Sequence, residues 1–391
     1  MVVLAVNSLW NILNFRMGLI GALQQEGYRI VVVSPAGDGA ELLASRGVSV
    51  RPIRMSARGT SPFADARLLV DFYRALREIR PDALLAFTAK PNIYGSLAAR
   101  ALGIPALNNV AGLGSAFTRQ TWLTRLMMNL YKLALKKSHV VFLQNPDDRA
   151  LFVGGGIVTE QQAGLLPGSG VDLDRFRPVE EAAGRAAPFS FLLPARLLWA
   201  KGLAEYVEAA RRIRADGGGE ARFQMLGFVD AADPASVSPD QLARWQDQAL
   251  IEYLGVTADV RPVLAAADCV VLPSYYREGV PRALLEAAAM GKPIITTDSI
   301  GCREAVDDGQ TGFLCAPRSV QSLAAAMTRM MQLPPEERRG MGAAGRLKME
   351  RQFSQVLVHD AYIRALAGAG IMPQRESADR SAAASAPVST G

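Results

Sequence analysis

Two carboxylates frame the segment Glu278-Gly279-Val280-Pro281-Arg282-Ala283-Leu284-Leu285-Glu286, which follows an apolar run ending Leu272-Pro273-Ser274. Proline is tolerated in the first turn of a helix, so Pro281 reads as a helix start. The amides of Arg282, Ala283 and Leu284 then fall among those a helix leaves unpaired, a place suited to phosphate. Glu278 and Gly279 lie in the loop before the helix and Glu286 lies inside it. The two carboxylates could therefore hold hydroxyl groups on either side of a bound phosphate. Taken alone, the same spacing fits ordinary surface charge equally well. A second segment, Pro194-Ala195-Arg196-Leu197-Leu198-Trp199-Ala200-Lys201-Gly202, places two cations in a loop running into a helix. Arginine can bind phosphate oxygens in pairs, and lysine acts as a point charge. Together Arg196 and Lys201 could stabilise the charge that develops on a departing nucleoside diphosphate.

The elements that must position these residues are legible as short apolar runs alternating with helix-length segments. In the first half the expected strands are Val2–Val6, Arg29–Val33, Val48–Ile53, Ala83–Phe87, Ala106–Val110 and Val140–Leu143, with a helix over Phe15–Glu26. The rhythm breaks near Pro167-Gly168-Ser169-Gly170 and restarts with Ser190–Leu193, Arg222–Leu226, Ile251–Leu254, Cys269–Leu272, Pro293–Thr297 and Gly312–Leu314. Apolar strands separated by helices predict parallel sheets covered on both faces. The reading is α/β: two Rossmann-like doubly wound domains, residues 1–168 and 169–370, followed by a disordered tail over 371–391. Ligands of such sheets collect at the carboxyl ends of the strands, which puts a central cleft between the two domains.

The whole chain has 391 residues, half of them apolar, enough for two buried cores. Its three cysteines, Cys269, Cys302 and Cys315, show no C-x-x-C spacing, and its two histidines stand apart. A disulfide scaffold and a His- or Cys-based metal site are both disfavoured. Asp172-Leu173-Asp174 has a D-x-D form that can hold Mn²⁺, but it directly follows the break at Pro167–Gly170, read as the start of the interdomain linker, and reads as a hinge segment. No basic-then-apolar opening and no apolar run of spanning length is visible, so the expectation is a soluble or peripheral protein.

Charge is unevenly placed. Residues 1–178 carry 20 Lys/Arg against 12 Asp/Glu (20 − 12 = +8), and the remainder carries 23 against 25 (−2). Ala83 to Pro146 holds no acid at all, while Lys90, Arg100, Arg119, Arg125, Lys132, Lys136 and Lys137 fall inside it. The first half therefore expects an anionic partner. Within it, Trp122 to Lys137 reads as a basic amphipathic helix, with Arg125, Asn129, Lys132 and Lys136 aligned on one face. Periodicity alone fits a helix covering the domain; the missing acids point to contact of Arg125, Lys132 and Lys136 with an anionic membrane surface. Nucleic acid is not expected as a partner, because basic and aromatic residues do not interleave and no known module is visible.

In this order and on these elements, Arg196, Lys201, Glu278 and Glu286 resemble the retaining family-four glycosyltransferases of GT-B architecture. Asn14-Phe15-Arg16, Lys90-Pro91-Asn92 through Arg100, and Val110-Ala111-Gly112-Leu113-Gly114-Ser115-Ala116-Phe117 are similar to the bacterial subgroup that extends undecaprenyl-diphosphate-linked sugars for capsule, O-antigen or protein-linked glycans. The resemblance covers nearly all of the chain to residue 365. It implies that Arg196 and Lys201 hold the donor diphosphate and Glu286 the donor ribose. Glu278, with the amides of Gly279 and Val280, would hold the transferred sugar, which makes Arg196, Lys201 and Glu278 the catalytic candidates. Arg16, Lys90 and Asn92 would face the acceptor. Two features depart from the family pattern: Asn7 to Asn14 lacks a glycine pair, and Ala111 stands where a hydroxyl or acid is common.

The implied activity is transfer of a hexose or N-acetylhexosamine from a UDP-sugar to a polyprenyl-diphosphate-linked sugar, at the inner face of the cell membrane. No metal or other cofactor is expected, since Arg196 and Lys201 can neutralise the diphosphate. The alternative is a UDP-sugar epimerase of the same two-domain architecture, which would grip the same diphosphate.

Overall fold

A computed structural model of the chain describes residues 1–56, 61–114, 122–179, 188–217, 221–231 and 233–373. From residue 374 on, the expected tail lies outside the described residues, as do residues 115–117 of the third first-half motif. Among the described residues, two all-parallel sheets are present. The first joins β1 (Val2–Ala5), β2 (Ile30–Ser34), β3 (Ser49–Pro52), β4 (Ala83–Phe87), β5 (Ala106–Val110), β6 (Val140–Leu143) and β7 (Ala163–Leu165) in the order β3-β2-β1-β4-β5-β6-β7. The second joins β8 (Ser190–Pro194), β9 (Arg222–Leu226), β10 (Glu252–Tyr253), β11 (Cys269–Leu272), β12 (Ile294–Thr297) and β13 (Gly312–Cys315) in the order β10-β9-β8-β11-β12-β13. In both sheets the order reverses beside the first strand, the arrangement that opens a ligand crevice at the strand ends. Strands β1, β4, β5, β8 and β11 are buried throughout, as strands covered on both faces must be.

Three departures from the sequence expectation matter for the site. The helix expected over Phe15–Glu26 begins earlier and is broken in two, Leu9–Phe15 and Met17–Gln25, with Arg16 at φ −126° between them. Ser8 starts it, its side-chain oxygen accepting from the Asn11 amide. Strand β7 was not anticipated.

The third departure concerns the division at 169–370. The helix Gln355–Gly368 returns to the first domain, where Val358, Tyr362 and Leu366 pack with Val2, Leu4 and Phe87. The Tyr28 hydroxyl donates to the Ile371 carbonyl at 2.9 Å. The second domain therefore gives up its last helix, because that helix's apolar face completes the first domain's core. The two chain crossings run side by side: Val171 donates its amide to the Phe353 carbonyl at 2.8 Å, and Gln355 returns one to Val171 at 3.0 Å.

Candidate active site

Strand β8 ends at Pro194, and the loop after it carries both cations expected at the donor site. Arg196 is exposed, and its side chain makes no hydrogen bond or ion pair with any described residue. Lys201 ends a 3-10 turn, Trp199–Lys201, and is 8% exposed. Gly202 follows at φ 81°, a left-handed conformation, and a Cβ there would lie 2.2 Å from the Pro273 carbonyl oxygen. Glycine alone lets this loop press against the end of β11. Lys201 consequently reaches across to Glu278 and donates to its Oε1, which also accepts from the Ser274 hydroxyl at 3.1 Å.

The helix beyond runs Arg282–Ala289, with Pro281 at its N-cap. The Leu284 amide donates to the Pro281 carbonyl at 3.0 Å, so it is not available to a ligand as expected. The amides of Gly279, Val280, Arg282 and Ala283 bond to no described residue, and they form a run of donors at the helix start. Glu286 accepts from Arg282 Nε at 2.6 Å. Burial pushes its carboxyl above the usual range against the pull of Arg282. Arg282 also donates to the Asn14 carbonyl and lies 5.1 Å from the centre of the Phe15 ring. That guanidinium therefore spans the two domains.

The loop carrying Glu278 is clasped by the first domain. Asn145 donates its amide to the carbonyls of Glu278 and Gly279, each at 3.3 Å. Gly114 donates its amide to the Arg277 carbonyl at 3.0 Å. Arg277 in turn donates from Nε to Asp148, whose side chain is fully buried, at 2.9 Å. Gly112 stands at φ 110°, and a Cβ there would come within 2.5 Å of the Gly279 nitrogen. Any side chain at 112 would push the two domains apart at the candidate sugar site. None of Asp148, Asn145 or Arg277 was singled out from the sequence. Asn145-Pro146-Asp147-Asp148 carries a helix-start signature at the end of β6, a cleft position, and that signal could have found it.

On the acceptor side the expected residues separate. Arg16 is 4% exposed, and its guanidinium lies 4.2 Å from the centre of the Phe87 ring, at the end of β4. Burial pulls its pKa down; the nearby Tyr362 hydroxyl opposes this and Arg282 adds to it. Lys90 is half-buried and donates to Asp65 at 2.9 Å. Asn92 does not face the cleft. It is fully buried, donating to the Asn109 carbonyl at 2.8 Å and accepting from Asn108 at 2.9 Å. Its amide is used inside the first domain, because burial demands that both of its polar atoms be paired. The network continues from Asn109, which donates to the Tyr362 hydroxyl at 2.8 Å and accepts from Gln144 at 3.2 Å.

Away from the cleft, the helix Trp122–Leu135 buries Tyr131 and Ala134 and leaves Arg125, Lys132 and, just past its end, Lys136 exposed. Trp122, Leu126 and Leu133 are exposed among them, at 76%, 44% and 53%. Two apolar residues of the helix, Leu126 and Leu133, therefore stand in the open beside the cations. No helix among the described residues is long and apolar enough to cross a membrane. The Asp172 and Asp174 carboxylates are engaged locally. Asp172 accepts from the Asp174 and Arg175 amides at 3.0 and 2.9 Å, and Asp174 accepts from Arg177 at 2.7 Å. All three cysteines are free and buried.

Residues 14–168 match the family described as glycosyl transferase 4-like domain, and residues 188–332 match glycosyl transferases group 1. Between them the two matches take in every strand of both sheets except β1, and every residue expected at the donor site. The chain belongs to the family-four glycosyltransferases. It is 28% identical over 337 residues to the N,N'-diacetylbacillosaminyl-diphospho-undecaprenol α-1,3-N-acetylgalactosaminyltransferase of Campylobacter jejuni, covering 82% of this chain and 87% of that one. It is 25% identical over 283 residues to the UDP-Gal:α-D-GlcNAc-diphosphoundecaprenol α-1,3-galactosyltransferase of Escherichia coli, covering 70% and 72%. Among solved structures, Anabaena HepE in complex with UDP and glucose superposes with a TM-score of 0.76 at 19% identity, covering 94% of this glycosyltransferase and 99% of HepE. The fold is GT-B, and a retaining transfer fits the family. The epimerase alternative gains nothing from these likenesses.

Proposed function

We propose that this enzyme transfers a hexose or N-acetylhexosamine from a UDP-sugar to a sugar carried on a polyprenyl diphosphate, in bacterial cell-surface glycan synthesis. The observation that carries the reading is the convergence of Arg196, Lys201 and four unpaired amides at the ends of β8 and β11, directly opposite the first domain. Both relatives cited above are named for acceptors on a diphosphate-linked undecaprenol. In transfer, charge grows on the departing UDP. Arg196 is free to meet it, Lys201 lies beside it, and the helix amides add fixed donors that need no reorganisation. Glu278, held by Lys201 and Ser274, is placed to accept hydroxyls of the transferred sugar, and Glu286 those of the ribose. With this much positive charge available, no metal is required to neutralise the diphosphate.

The acceptor's polyprenyl chain stays in the bilayer, so the enzyme must come to the membrane's inner face. The exposed Arg125, Lys132 and Lys136, interleaved with Trp122, Leu126 and Leu133, suit an anionic surface. Incubation with a panel of UDP-sugars and bacterial lipid extract tests the activity. The expected product is a lipid heavier by one hexosyl or N-acetylhexosaminyl unit, with release of UDP. Isomerisation of a UDP-sugar with no acceptor present would replace this reading with the epimerase.

A further inference from the structure

Arg16 is an anomaly of the first domain. A buried guanidinium is ordinarily paired with a carboxylate, because an uncompensated interior charge is among the costliest features a fold can hold. Arg16 is 4% exposed, yet its side chain makes no hydrogen bond or ion pair with any described residue, and its Nε is sealed from solvent. The Phe87 ring under it offsets part of this cost. Its charged neighbour, Arg282, repels it.

A second unpaired group lies one residue further along the chain. Thr88, the next residue after Phe87, has a buried Oγ1 with no partner, and it holds φ at +68°, a strained conformation for a β-branched residue. Among the described residues, an unpaired cation thus lies over the ring of the last residue of β4, and the next residue carries an unpaired hydroxyl. Strain and unpaired polarity of this kind persist where a ligand completes the site.

The donor diphosphate already has its own cradle on the second domain. Arg16 and Thr88 belong to the first domain, on the side assigned above to the acceptor. We propose that Arg16 and Thr88 form a second anion subsite, which receives the diphosphate linking the acceptor sugar to its lipid. This rests on the lipid-diphosphate reading of the acceptor. Arginine's planar fork can hold two phosphate oxygens, and the threonine hydroxyl can donate to another. Grip on a group away from the reacting hydroxyl orients the acceptor sugar, so lipid-diphosphate acceptors would be favoured over the same sugar without charge.

Two measurements test the proposal. With UDP saturating the donor site, inorganic pyrophosphate is titrated into the parent, Arg16→Gln and Thr88→Val by calorimetry. The expected result is binding to the parent that weakens about 10- to 100-fold in Arg16→Gln, the scale for a lost charge-assisted bond, and less in Thr88→Val. In the kinetic arm, kcat/KM is compared for one acceptor sugar carried either on farnesyl diphosphate or on an uncharged farnesyl chain. The parent's preference for the diphosphate acceptor is expected to shrink by a similar factor in Arg16→Gln. The melting temperature of Arg16→Gln should not fall, because the removed charge had no partner. An unaltered preference, a fall in UDP affinity as large as that in pyrophosphate affinity, or a lower melting temperature would each overturn the subsite. A parent that used neither acceptor would sink the acceptor reading itself, while the pyrophosphate titration would still decide whether the anion subsite exists.

Discussion

Arg277 of the second domain donates to Asp148 of the first at 2.9 Å, and the Asp148 side chain is fully buried. Burial holds its carboxyl above the usual range in spite of Arg277 and Asn145. The pair thus fixes where the domains meet more than it stabilises them. Asp148→Asn should leave Arg277 without its counter-charge and cost about 3 kcal/mol, the low end for breaking a buried pair, since Arg277 stays 20% exposed. The double variant Asp148→Leu/Arg277→Met should regain most of that stability in denaturant unfolding but not the activity, because the Glu278 loop loses its clasp. Full activity in the double variant would show that the clasp is dispensable.

The donor cations differ in setting, so their variants should differ too. Arg196→Ala removes an exposed, unpaired charge and should leave stability unaltered; Lys201→Ala frees Glu278 and should lower it slightly. Turnover should fall about 100- to 1000-fold in each, the scale for losing one preorganised charge-stabilising donor. Near-normal turnover in both would remove the basis of the proposed chemistry.

Activity is expected to persist in excess EDTA, because Arg196, Lys201 and the four amides supply the positive charge. Asp172 and Asp174 are meanwhile engaged with their own loop. Complete loss restored by Mn²⁺ or Mg²⁺ would reverse this expectation.

His359 gives the fold a pH dependence whose sign can be worked out. Burial lowers its pKa below the ordinary imidazole value of 6.5, and Asp360 and Asp172 do not fully offset this, with Arg16 lowering it further. As pH falls through 6.5 the unfolded chain takes up this proton before the folded one does. Stability is then lost progressively until the folded pKa is passed. Between pH 8 and pH 5.5 the melting temperature of the parent should fall further than that of His359→Gln. Equal falls would mean that this histidine does not contribute.

How far the sequence discloses this enzyme depends on distance along the chain. Strands β4, β5, β6, β9 and β11 begin and end where the sequence places them; β4, β6 and β11 are apolar along their length, as strands covered on both faces tend to be, while β5 carries the buried Asn108 and Asn109 and β9 opens on Arg222. Ala163–Leu165 is too short, and too interrupted by Gly164, to show any period. The helix Gln355–Gly368 has a readable apolar face, but periodicity states that a face is buried and not which domain buries it. The positions of Arg196, Lys201 and the Glu278 loop at strand ends were legible because each follows its own strand locally. Asp148 and Arg277 stand 129 residues apart, and Asn92 gives no sign in sequence that Asn108 and Asn109 will use up its amide.

The proposed membrane contact can be tested on vesicles. Exposed cations at 125, 132 and 136 share their surface with Trp122, Leu126 and Leu133, so electrostatic attraction and apolar insertion would act together. Each Lys or Arg near an anionic leaflet adds roughly 1 kcal/mol, screened as salt rises. The enzyme should bind vesicles containing anionic lipid, bind zwitterionic ones poorly, and leave the former at high salt. Reversing Arg125, Lys132 and Lys136 to Glu should abolish vesicle binding in sedimentation while UDP affinity, set in the other domain, is retained. The apolar residues give a second handle: Leu126→Ser with Leu133→Ser should weaken binding at high salt more than at low salt, where the cations still act. If the triple variant sediments with anionic vesicles as well as the parent does, the helix is cover for Tyr131 and Ala134 and nothing more.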